Sequence, residues 1–103
     1  MSTLRMPQAY AARLRGEGAD AALRHEIVEE QAASLGRMGR RAEAALAALR
    51  TSEGDERTQM LKAAADAVWC FLVQREVLGL RDRAAIVAQY QIPPEVMVRL
   101  GAR

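Results

Sequence analysis

The chain has 103 residues, of which 50% are hydrophobic, but its aromatic side chains amount to one Trp, one Phe and two Tyr. A chain of this length can form one small domain with a modest core, and its wealth of Ala and Leu favours closely packed helices over sheets. The 15 basic and 13 acidic residues nearly balance, so the net charge gives no general case for nucleic-acid binding.

The first 18 residues contain Pro7, Gly16 and Gly18 and are predicted to form an N-terminal arm, with a helical turn or two within 8–15. A single helical domain is expected over residues 19–103. Its first long helix is predicted over about 19–50, because apolar residues recur there at helical spacing and share one face. This apolar stripe consists of Leu23, Ile27, Leu35, Met38, Ala42, Ala45, Leu46 and Leu49.

Two glycines, Gly36 and Gly39, interrupt the first helix, and each costs about 1 kcal/mol relative to alanine. On the helix they lie with other small residues on the side away from the apolar stripe. They therefore indicate close approach of another helix or a kink, or they have no special role.

Charge is unevenly distributed along the first helix. The segment 17–30, here called the acidic segment, holds five acidic residues and one basic residue, whereas residues 37–50 hold four basic residues and one acidic residue. Two antiparallel copies would set each acidic half against a basic half, and two-fold dimers are the commonest oligomers. The sequence thus predicts an antiparallel homodimer. Its candidate interface residues are Gly36, Gly39, Arg40, Arg41, Glu26 and Glu29.

The stretch TSEGDE is predicted to be a loop, in which Gly54 suits the turn and Asp55 suits a helix N-cap. The second helix then runs to about Leu78, with Gly79 as its stop. Its main apolar face comprises Leu61, Ala64, Ala65, Val68, Phe71, Leu72 and Leu78. Residues 67–73 are apolar on every side, so the C-terminal segment, a second chain or both must cover them.

Arg75 lies within the apolar face of the second helix. A buried guanidinium needs a partner, since an unpaired buried charge is very costly. A buried ion pair of Arg75 with Glu30 or Asp82 is the main expectation, with Glu26 or helix-end carbonyls as other partners. A small-ligand site at Arg75 is the alternative.

Two short helices are predicted at the C-terminus. Asp82 suits the N-cap of a helix over about 83–91, Pro93 and Pro94 end it, and a last helix runs over about 94–100, closed by Gly101. The spacing resembles a helix-turn-helix, but Gln91 stands where glycine commonly eases the turn, and the last helix begins with Glu95. We therefore expect a lid on the second helix that buries Ile92, Val96 and Leu100, with weak nucleic-acid binding as the alternative.

The residues that could carry chemistry form no recognisable constellation. The only histidine, His25, precedes Glu26 instead of following a glutamate at the spacing of di-iron bundles. The only cysteine, Cys70, lies in the apolar run AVWCFLV, where a reduced thiol acts as a small hydrophobe. We expect no metal, no cofactor and no catalytic residue.

The absence of an apolar secretory h-region, and an apolar run of seven residues against the ~20 that a membrane span needs, predict a cytoplasmic protein.

The stretches LGRMGRRAEAALAAL, WCFLVQREVLGLRD and YQIPPEV resemble a small bacterial family of uncharacterised all-helical proteins, over about residues 17–101. The resemblance implies a helical fold and no known activity. Taken together, the sequence predicts an all-α fold, a long helical hairpin with two short C-terminal helices, which completes a four-helix bundle as a dimer. The expected function is that of a non-catalytic interaction or accessory protein with an unidentified protein partner.

Overall fold

The computed structural model describes residues 8–102, and the side chains at 16 and 18–102. These residues form four helices: α1 (Gln8–Thr51), α2 (Gly54–Val77), α3 (Arg83–Tyr90) and α4 (Pro94–Met97). No strand occurs within the described range. The predicted all-α class is confirmed, and so is the long hairpin followed by two short helices.

Helix α1 begins at Gln8, well before the predicted start near residue 19. Residues 8–15 consist mainly of Ala, Arg and Leu, which favour helix, and the cost of about 1 kcal/mol at each of Gly16 and Gly18 is too small to end it. The helix also continues through Gly36 and Gly39 without a break. Residues 1–7 of the predicted arm lie outside the described residues.

The chain divides into two compact units, one ending at Ala33 and the other beginning at Ser34. In the first unit, the side chains from residue 18 to residue 30 are all exposed. The second unit contains the rest of α1 with α2, α3 and α4, and it holds the hydrophobic core.

In the second unit, α1 and α2 are joined by Ser52 and Glu53 alone. Ser52 is buried in this turn, and its hydroxyl donates a hydrogen bond of 2.9 Å to the carbonyl oxygen of Leu49. The core that the hairpin encloses has thirteen buried apolar residues, and four of them are alanines, which lets the helices approach closely. They are Ala42, Leu46, Leu49, Leu61, Ala64, Ala65, Ala67, Val68, Phe71, Leu72, Ile86, Ile92 and Val96.

Helices α3 and α4, here called the C-terminal lid, cover the apolar middle of α2 as predicted. Ile92 and Val96 are buried, and Leu100 is half-buried against the same cluster. The Asp82 side chain caps α3 by accepting a hydrogen bond of 3.1 Å from the amide of Ala85. The predicted N-cap is therefore confirmed, and the lid supplies cover for α2 from within the chain.

Gln91 ends α3 in the left-handed conformation, with φ of 52°. Beyond it, the amide of Ile92 donates to the carbonyl oxygen of Val87 at 3.0 Å, which closes the helix end and turns the chain toward Pro93. The turn thus forms with Gln91 at the position where glycine is common. Gln91 carries the strain that a left-handed conformation imposes on a residue other than glycine.

Replacing Gln91 by glycine is expected to raise the free energy of unfolding by about 1 kcal/mol, because glycine adopts this conformation without strain. The measurement is urea unfolding followed by circular dichroism. The matched control is Gln89→Gly, the same change at an exposed position inside α3, which should lower the free energy by about 1 kcal/mol. Equal effects of the two changes would show that the left-handed turn carries no strain.

Candidate interaction surface

The structure gives the residues of the predicted ion pair, Arg75 and Asp82, separate contacts. Arg75 is half-buried, and its guanidinium carbon lies 5.8 Å from the centre of the Phe71 ring, within the range of a cation–π contact. Asp82 is instead engaged as the N-cap of α3. Within the described residues, Arg75 and Asp82 form no ion pair, so the ring serves as the neighbour of the guanidinium. A pair with Glu30, in the other unit, stays a prediction.

Gly39 lies on the buried face of α1, and not on the opposite face where the sequence placed it. It is buried, and a Cβ atom built there would lie 3.1 Å from the Tyr90 hydroxyl and 3.3 Å from the Phe71 ring. The reason is that Gly39 precedes Leu46 by two helical turns and shares its face. A Cβ at Gly36 would meet only the guanidinium of Arg40, at 3.3 Å. Close packing at Gly39 is therefore made within the chain.

The charged residues of the predicted interface are on the surface. Arg41 donates a hydrogen bond of 2.9 Å to Asp66 of α2, in an ion pair whose two side chains are both about half exposed. Arg40 and Glu26 are exposed. Glu29 lies 2.7 Å from the His25 ring nitrogen, one helical turn earlier. The structure thus ties Arg41 to the hairpin and leaves the interface hypothesis open.

An ion pair that the sequence did not predict connects the C-terminal lid to α2. Both guanidinium nitrogens of Arg57, in the first turns of α2, donate to the two carboxylate oxygens of Glu95 in α4. Hydrogen bonding to Arg57 lowers the pKa of Glu95, and the charges of Arg57 and Arg99 lower it further, while the same hydrogen bonds raise the pKa of Arg57. Glu95, whose charge is unfavourable for contact with DNA, thus helps to hold the lid against α2.

The stabilisation from Glu95 is expected to disappear in acid. A carboxylate whose pKa is lowered by folding stabilises the folded state above its ordinary pKa of about 4.3, and the effect is lost as the pH falls through the lowered value. The difference in free energy of unfolding between the wild type and Glu95→Gln should therefore be largest at neutral pH and vanish in acid. Urea titrations from pH 7 downward would measure it.

The control for this titration is Glu43→Gln, because Glu43 is exposed and forms no ion pair with the described residues. It shows the effect of removing an exposed carboxylate without breaking an ion pair. A difference for Glu95→Gln that followed the same course with pH as that for Glu43→Gln would contradict the role given to the pair of Arg57 and Glu95.

Arg50, near the end of α1, forms a second connection to the C-terminal lid. Its guanidinium donates to the carbonyl oxygens of Tyr90 and Gln91, at 3.0 and 3.2 Å. These carbonyls belong to the end of α3, where a cation is favourable. In the sequence, Arg50 stands out only as part of the basic half of α1, because a contact to carbonyls forty residues away leaves no local signal.

The exposed apolar side chains of the first unit form a candidate contact surface. Leu23 is 56% exposed, Ile27 is 47% exposed and Val28 is 61% exposed. Leu23 and Ile27 are one helical turn apart and begin the apolar stripe, whose later members Ala42, Leu46 and Leu49 are buried. The side chains of the apolar stripe are therefore buried in the second unit and exposed in the first.

An open groove of about 800 Å³ lies on the second unit, here called the Trp69 groove. One wall is a single face of α2, and the other is the chain end after α4. Its lining residues are Gln59, Lys62, Ala63, Ala65, Asp66, Trp69, Arg99, Gly101 and Ala102. Trp69 is half-buried in this groove.

The described residues contain no group of three or more His, Cys, Asp or Glu side chains that could hold a metal ion. In the same part of the chain, no helix is both long and apolar enough to cross a membrane.

Comparison with protein families gives a match over nearly the whole chain. The model of a family of unknown function, DUF6665, matches residues 2–103. No curated protein and no solved structure matches the chain. The family match confirms the resemblance to uncharacterised proteins that the sequence indicated.

Proposed function

The chain belongs to DUF6665, a family of unknown function, and from its geometry we propose a non-catalytic helical interaction or accessory protein that acts as a homodimer. The observation that carries the proposal is the exposure of Leu23 and Ile27 on the apolar stripe of α1. Burial of one such side chain contributes about 1.5–3 kcal/mol, so a partner that covers the stripe gains substantially from it.

Charge favours a second copy as that partner. The acidic segment is exposed over its described side chains, and the basic half of α1 presents Arg40 and Arg41. The ion pair of Arg41 with Asp66 is half exposed and contributes little, so it does not prevent a second contact. An antiparallel arrangement brings the opposite charges of two copies together and fixes the register of the helices.

The thiol chemistry bears on the proposed compartment. Cys70 is the only cysteine, and it is half-buried. A chain without an internal disulfide suits a reducing environment. This supports our proposal of a cytoplasmic location, where the dimer would bind a further protein partner.

Light scattering tests the proposal directly. The wild type should have about twice the chain mass of 11.3 kDa, and the double variant Leu23→Ser, Ile27→Ser should have the mass of one chain, because the apolar contact is lost. The matched control is Val77→Ser, since Val77 is 70% exposed on α2 and lies off the stripe. A wild type with the mass of one chain would refute the homodimer, and an unchanged mass of the double variant would exclude the stripe as its contact.

A further inference from the structure

We infer that the Trp69 groove receives the acidic segment of α1 from a second copy of this chain. The inference rests on the proposed homodimer and names the surface that covers Leu23 and Ile27. In a two-fold dimer the contact is reciprocal, so each copy would give one helix and receive one.

The shape of the groove fits a helix with two protruding apolar side chains. Its α2 wall carries alanines where larger residues would fill the space, and the indole of Trp69 supplies a broad apolar surface. Gly101, at φ of 72°, lies so close to the indole that a Cβ there would be 3.0 Å from Nε1. The backbone at Gly101 thus packs closely against one edge of the indole. An amphipathic helix can lay its apolar face into such a groove.

The charge at the rim of the groove selects an acidic occupant. Lys62 and Arg99 line it and are exposed. The single carboxylate among the lining residues, Asp66, is already paired with Arg41 at 2.9 Å. The rim is therefore net positive, while the acidic segment carries four more acidic than basic residues. Complementary charge of this kind raises the rate of association and suppresses wrong partners.

The pair of Arg41 and Asp66 also makes the groove continuous with the basic half of α1. Asp66 lines the groove and Arg41 belongs to α1, so both lie on one connected surface. A helix that runs antiparallel beside Arg40 and Arg41 can place its apolar side chains toward α2. One occupant thus accounts for the charge pattern of α1 and for the open groove.

Trp69 is the only tryptophan, so its fluorescence reports on the groove in the full-length protein. Acrylamide quenching should be weak where light scattering shows a dimer, and it should increase in the monomeric variant Leu23→Ser, Ile27→Ser. The double reversal Lys62→Glu, Arg99→Glu should raise the dissociation constant of the dimer about ten-fold and increase quenching. The matched control is Arg81→Glu, an exposed arginine outside the groove, which should change neither.

Reversing the charge of the acidic segment as well restores opposite charges across the contact, and it tests whether this segment is the occupant of the groove. Adding Glu26→Lys and Glu29→Lys to the reversed groove should recover the dimer and the weak quenching. A dimer that is insensitive to the groove reversal, or one whose quenching equals that of the monomer, would overturn the groove assignment and leave the homodimer standing. A wild type with the mass of one chain would overturn both.

Discussion

Replacement of Phe71 by alanine is expected to lower the free energy of unfolding by about 3–5 kcal/mol, the usual range for removing a buried ring. Phe71 is 4% exposed, and its ring lies 5.3 Å from that of Tyr90, centre to centre. It also lies beneath the guanidinium of Arg75. Its loss would leave a cavity beside Gly39, which has no side chain to fill it, and it would remove the ring contact with Tyr90 of α3.

Urea unfolding followed by circular dichroism at one fixed protein concentration would measure this loss, because association also contributes to apparent stability. Phe71→Leu serves as the control, since it keeps an apolar side chain of similar volume and should cost less than about 1.5 kcal/mol. If the alanine variant lost less than the leucine variant, Phe71 would not be the centre of the core.

Replacement of Gly39 by leucine is expected to lower the free energy of unfolding by about 2–3 kcal/mol, in the upper part of the range for an overpacked core. Even a Cβ atom there would press on the Tyr90 hydroxyl at 3.1 Å and on the Phe71 ring at 3.3 Å. A leucine would add three further carbons in the same direction, which requires α1 to move away from α2 and α3.

Gly36→Ala is the matched change one turn earlier, and it should raise the free energy of unfolding by about 1 kcal/mol through helix propensity. Among the described side chains, its added Cβ would approach the flexible end of Arg40, at 3.3 Å. The same unfolding measurement applies to both variants. A stable Gly39→Leu variant would mean that the approach of the three helices at this position can relax.

Local backbone signals explain how much of the fold could be predicted. The N-cap at Asp82 and the break at Pro93 each depend on the backbone preferences of a few adjacent residues, and both are where the sequence placed them. The predicted loop at Gly54 was wrong in its bounds, because Gly54 already begins α2 and the N-cap is Glu53 instead of Asp55. The predicted start of α1 near residue 19 was wrong because it treated Gly16 and Gly18 as breaks, and single glycines within helix-favouring residues do not end a helix.

The contacts between distant residues could not be predicted, for a physical reason. Arg57 and Glu95 are 38 residues apart, and they meet because the lid folds back on the start of α2. The same holds for Arg50 and the end of α3. Periodicity shows which face of a helix is apolar, but the burial of Gly39 and the half-exposure of Trp69 depend on how three helices approach one another.

The four buried alanines of the core have a thermodynamic consequence. Ala42, Ala64, Ala65 and Ala67 each bury little apolar area, and the heat capacity of unfolding scales mainly with the apolar area that becomes exposed. We therefore expect a small heat-capacity increment for a chain of this length, which calorimetry would record. A small increment flattens the curve of stability against temperature. The stability of the fold would thus change little between cold and warm conditions.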